Sequence, residues 1–137
     1  MANLALNPAP EKAQGNSKPG ITEIHVSHSK PGESTHRQEV ILPMLAHLSK
    51  QSKLRWFTWI APQGITKALL QAYGFELNNV QLVHPKSAAD IRWLMWEALN
   101  SGTSETVVAS TSDLTAADVN ELEKASFNGS CRGLLLQ

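Results

Sequence analysis

A single cysteine among 137 residues excludes an internal disulfide and fits a reducing cytosol. In Ser-Cys-Arg-Gly-Leu-Leu-Leu, Cys131 reads as a small strand residue, with no second cysteine or nearby histidine to make it a nucleophile. Excess charge is also lacking, because twelve basic and twelve acidic residues cancel. A neutral chain without a Lys/Arg run argues against nucleic acid as the main partner, since phosphate neutralisation needs clustered positive charge. The densest basic spot, Lys50–Lys53 with Arg55, reads as a solvated helix end. No apolar run reaches the ~18 residues of a membrane span, and MANLALNPAPEK has no basic n-region of a secretory signal. These absences together predict a soluble, cytoplasmic protein. Also missing is a phosphate-binding loop, G-x-x-x-x-G-K-[ST]. The residues leading into the first long helix, Glu33-Ser34-Thr35-His36-Arg37-Gln38-Glu39, include no glycine pair and no Lys-Ser/Thr.

What is present is ordinary globular composition, 42% hydrophobic and 18% charged, at a length that supports one core. Residues 1–20 hold Pro8, Pro10, Pro19, Gly15 and Gly20 among polar residues, which predicts a mobile arm. The domain then runs over 21–137. Ile21–Ser27 alternates and is β-branched, which predicts a strand ended by the turn Lys30-Pro31-Gly32-Glu33. Apolar residues at 40, 41, 44, 45 and 48 form one helical stripe. Pro43 places the start of that helix near Leu42 or one turn earlier, where a missing N–H costs nothing.

Leu54–Ala61 is apolar on both faces, as in a parallel sheet covered by helices on two sides. Trp56 and Trp59 are therefore expected in the core. A short helix around Ala68–Tyr73 closes at Gly74, and Asn79–His84 is the next strand. Ser87-Ala88-Ala89-Asp90 has capping-box spacing ahead of the stripe Ala88, Ile91, Leu94, Met95, Ala98, Leu99, with Gly102 just past its end. Thr106–Ser110 is a strand, Thr115-Ala116-Ala117-Asp118 caps a last helix with Val119, Leu122 and Ala125 inward, and Leu134–Leu136 is the last strand. This alternation predicts a RecA-like α/β fold, mostly parallel, with helices on both faces and no phosphate loop.

The chemistry-bearing residues do not assemble into a known centre. His25, His28, His36, His47 and His84 fit no H-E-x-x-H pattern, so no metal is expected. There is no G-x-S-x-G elbow. Asp113 follows its strand only after four small or hydroxyl residues, which disfavours a Walker-B role. No catalytic residue and no cofactor are assigned. Apolar usage beyond the needs of a core remains. Trp93 lies nearly opposite the inward face of its helix, with Trp96 on the flank. An outward Trp suits a protein contact, or a position covered by the arm or a neighbouring helix. Tyr73 and Phe75, with Arg55, Trp56 and Trp59 nearby in sequence, form a second group of interface-favoured types. Exposed aromatics and edge strands also allow a homodimer.

The run ILPMLAHLSKQSKLRWFTWIAPQ, then LLQAYGF, then EALNSGTSETVV, resembles the SulA-type SOS cell-division inhibitors over about Val40–Val108. The resemblance implies a RecA-like domain without a phosphate loop and a partner, the bacterial tubulin-like GTPase FtsZ. Family members occupy the FtsZ face that completes the next subunit's GTP site, which blocks polymerisation and lowers GTPase activity. By position, Arg55, Ile60 and Leu69 match residues tied to inhibition. Leu69 falls where enteric members carry Trp, and Asn79 where they carry Lys. Leu70, Tyr73, Phe75 and Trp93 complete the expected contact set. Enteric members also carry a longer C-terminal tail directing Lon proteolysis, which makes Lon protease a second implied partner. The alternatives are a degenerate RecA-like accessory protein in DNA damage tolerance, acting through protein contacts, and a residual nucleotide-binding enzyme.

Overall fold

A computed structural model of the chain describes residues 18–25 and 34–137, with only the backbone described for 34–39. Among the described residues five strands and four helices alternate: β1 Gly20–Ile24, α1 Ser34–Gln51, β2 Trp56–Ile60, α2 Lys67–Ala72, β3 Val80–Val83, α3 Ile91–Ser101, β4 Ser104–Ser110, α4 Ala116–Gly129 and β5 Arg132–Leu136. The strands form one sheet in the order β1-β5-β4-β2-β3, and every pairing is parallel. The expected α/β architecture is present, with a sheet parallel throughout. Most of the mobile-arm expectation, along with Val26–Ser27 and the turn at 30–33, falls outside the described residues. Gly20, placed in that arm, instead opens β1, and its N–H donates to Ser126 Oγ at 2.9 Å.

Side-chain alternation along β2, β4 and β5 divides the core into two layers. Phe57, Trp59, Val108, Leu134 and Leu136 pack beneath α1 and α2 with Leu42, Leu45, Leu70 and Phe75. Ile60, Val107, Ala109 and Leu135 face the other way, against Met95 and Leu99 of α3 and Leu122 and Ala125 of α4. Parallel strands covered on both sides must be apolar on both faces, so β2 and β4 lack a polar stripe.

Several local expectations change. Pro43 sits mid-helix in α1, which begins well before Leu42. The roughly 3 kcal/mol cost of an interior proline is offset by the buried face around it. That face is Ile41, Leu42, Leu45, Ala46 and Ser49, whereas Val40 and Met44 of the expected stripe point to solvent. Ser49 can be buried because its hydroxyl donates to Ala46 O and accepts from Glu76 N–H. Ser87 makes no capping bond; a short 3₁₀ turn, Ala88–Asp90, precedes α3 instead. The Thr115–Asp118 capping box is present with both bonds made. Gly74 and Gly102 are left-handed after α2 and α3, as expected.

Candidate functional site

The strands' carboxyl ends, where α/β folds usually hold small ligands, are packed here between β2 and β4. The buried Trp59 indole stacks on Phe75 and donates to Ser110 Oγ at 3.5 Å. Among the described residues no group of His, Cys, Asp and Glu could hold a metal ion. Asp113 is exposed, and burial pushes the Cys131 thiol up to about 12. Such a thiol stays protonated at neutral pH and is a poor nucleophile.

The opposite, amino-terminal edge of the sheet gathers unused apolar surface. A groove of about 420 Å³ there is lined by Lys53, Leu54, Arg55, Trp56, Asn78, Asn79 and Thr103. Leu54 is 94% exposed and Trp56 42% exposed. Both depart from the sequence expectation, which placed them in a doubly covered strand. Leu54 lies before β2. Trp56 lies beside a β-bulge, pairing with Ser104 while Phe57 pairs with Thr106. Glu105 is the extra residue, and a bulge of this kind re-aims neighbouring side chains.

Arg55, between these two apolar residues, faces inward. Its Nε and Nη2 donate to Glu105 Oε1 at 3.3 and 3.2 Å. Nη1 donates to Gly102 O and Gly129 O at 3.4 and 3.1 Å, and Nη2 to Ser130 O at 2.9 Å. The basic cluster is therefore only partly a solvated helix end: Lys50 and Lys53 are exposed, while Arg55 is committed to the fold. Asn79 is tied as well, its Nδ2 donating to Ser49 O at 3.0 Å.

The remaining expected contact residues divide by burial. Ile60, Leu70 and Phe75 belong to the core and are at most 6% exposed, so a partner cannot reach them in this conformation. Ile60 turns toward α3, Leu70 fills the α2 interface, and Phe75 packs against Phe57 and Trp59. Leu69 and Tyr73 are half-buried on the α2 side. Trp93 is exposed, on the sheet face opposite α2, and stacks on Trp96 with centroids 5.5 Å apart. Thus Arg55 and Asn79 come together at one groove, while Leu69 and Tyr73 lie on α2 and Trp93 lies on α3. Leu54 was missed as a surface residue. Its signal was Lys53-Leu54-Arg55 directly after the helix end, a hydrophobe between two cations.

A sequence model of the family described as "Cell division inhibitor SulA" matches residues 20–133. The chain belongs to the SulA family. It is 30% identical to the cell division inhibitor SulA of Pseudomonas aeruginosa over 127 residues, 92% of this chain and 76% of that protein. SulA of Yersinia pestis is 28% identical over 140 residues, 98% of this chain and 78% of that one. The crystal structure of SulA from Pseudomonas aeruginosa superimposes with a TM-score of 0.79 at 30% identity, covering 85% of this chain and 96% of that chain. The family model spans β1 to β4 and all of α1 to α4, and ends two residues into β5.

Proposed function

We propose that the chain arrests cell division by binding FtsZ and capping the face through which FtsZ subunits associate. The observation that carries this reading is membership of the SulA family across residues 20–133. On this reading the chain acts as a protein ligand: with the association face covered, the next FtsZ subunit cannot dock, polymers do not extend, and GTP turnover falls. The scaffold needs no nucleotide of its own, in keeping with the missing phosphate loop before α1.

The docking edge we assign is the amino-terminal groove, with Leu54 and Trp56 as apolar anchors and Asn79 and Lys53 as polar rim. A standard interface buries ~800 Å² on each partner, with a few anchors carrying most of the energy. Production within the SOS response in the cytoplasm, removal by Lon and self-association as a homodimer belong to the same proposal. The test is FtsZ GTP turnover at increasing ratios of purified chain. Turnover should fall toward zero near equimolar ratio, and unchanged turnover at that ratio refutes the reading.

A further inference from the structure

We propose that Arg55 is a positioning residue, which braces the edge carrying Leu54 and Trp56 and has no hydrogen bond to give the partner. The inference rests on the proposed FtsZ reading for what that edge does, but its structural half stands on the free protein.

A guanidinium has five N–H donors, and the five hydrogen bonds of Arg55 all run to groups within the fold. No donor is left over for a partner's carboxylate. The acceptors explain the arrangement. Gly102 O lies just beyond α3, and Gly129 O and Ser130 O lie at the end of α4, where helix carbonyls lack intrahelical partners and the dipole is negative. The two helix ends approach closely enough that a Cβ on Gly129 would collide with the Leu99 carbonyl oxygen. A planar fork can reach several converging carbonyls and a carboxylate at once, whereas an ammonium on a flexible stem cannot. Glu105 reaches Arg55 because the β4 bulge sets it out of the regular pairing.

These bonds tie the first turn of chain before β2 to two helices and a strand that are distant in sequence. Leu54 has almost no contact area of its own, so Arg55 and the turn Lys53 N–H to Gln51 O at 3.0 Å define where it sits. Trp56 is held on its other side by its N–H to Thr103 O at 3.0 Å, next to the same brace. A partner then meets anchors already in place, which lowers the ordering cost of association.

The test compares Arg55→Lys and Glu105→Gln with the parent chain, and repeats Arg55→Lys in a Leu54→Ala/Trp56→Ala background. Both replacements are milder than Arg55→Ala, and each is assayed at a temperature where its circular dichroism matches the parent. On the free protein, amide exchange at Trp56 should quicken about tenfold or more in Arg55→Lys, and in the same direction in Glu105→Gln. The concentration giving half-inhibition of FtsZ GTPase should rise about tenfold in Arg55→Lys. In the double-Ala background the same change should add less than twofold, because a residue acting through two anchors loses its effect when they are gone. Unchanged exchange at Trp56 overturns the proposal, and so do losses that multiply across the two backgrounds, the mark of a direct contact. If the parent chain itself leaves FtsZ unaffected, the functional reading fails, while exchange at Trp56 still decides what Arg55 does.

Discussion

Leu54→Ala separates docking from folding. At 94% exposure, Leu54 contributes almost nothing to the core. Removing its side chain should leave stability within about 0.5 kcal/mol of the parent, the usual range for surface changes. In the proposed complex the same side chain is buried. The three carbons removed are each worth about 0.8 kcal/mol of apolar transfer, so about 2.4 kcal/mol and near 60-fold in Kd if the anchor is fully covered. Partial coverage or a mobile loop reduces this, so a loss of about tenfold or more is the expected result. Differential scanning calorimetry gives the stability, and inhibition of FtsZ GTPase across a concentration series gives the affinity. Unchanged inhibition with unchanged stability refutes the placement of the docking edge. A large fall in melting temperature refutes the premise that Leu54 is free of the core.

Other consequences follow from the same geometry. Gly129→Ala drives a methyl group into the Leu99 carbonyl, a backbone atom that cannot swing away; the urea midpoint should drop sharply, or the protein should fail to accumulate in soluble form. Thr115→Ala removes the hydroxyl that accepts from Asp118 N–H and should cost about 1 kcal/mol in chemical denaturation. The backbone bond from Thr115, aided by its hydroxyl and by Arg92, holds the Asp118 carboxyl below its usual range. Its stabilisation is complete above the unfolded pKa of about 3.9 and is lost as pH falls through the lowered folded value. Asp118→Asn should therefore flatten the acid limb of a stability–pH curve and leave the limb above pH 7 unchanged. Cys131, buried with its thiol at about 12, should resist a thiol reagent at pH 8 until the protein is denatured. Rapid labelling of the native chain would refute that burial.

The layers of the fold were legible because a sheet covered on both sides leaves a distinct trace. Phe57-Thr58-Trp59-Ile60 and Val107-Val108-Ala109 have no polar face, and the Thr115 cap and Gly102 stop mark helix ends by local chemistry. What misled was tertiary in origin. Pro43 lies inside α1 because the core beneath that turn outweighs the lost backbone bond, and no local rule reports such a balance. Ser49 passes as a surface residue until its partner Glu76, far along the chain, is brought beside it. The candidate site was legible only in part. Neither positional likeness nor an interface-favoured residue type reveals burial, so the expected contact set includes Ile60, Leu70 and Phe75, whose side chains the core buries in this conformation. Trp56 resembles a core strand residue in sequence, and a one-residue bulge across from it decides otherwise. The acceptors of Arg55 lie about fifty to seventy-five positions away and two of the residues are glycines, so nothing in its local sequence announces the brace.

The most direct test of the account is the FtsZ concentration needed for assembly, measured by sedimentation with GTP at several fixed concentrations of the chain. Capping by a one-to-one ligand predicts that this threshold rises by about the amount of chain added, with GTP turnover falling in parallel. A threshold that stays constant as the chain reaches equimolar ratio contradicts the account.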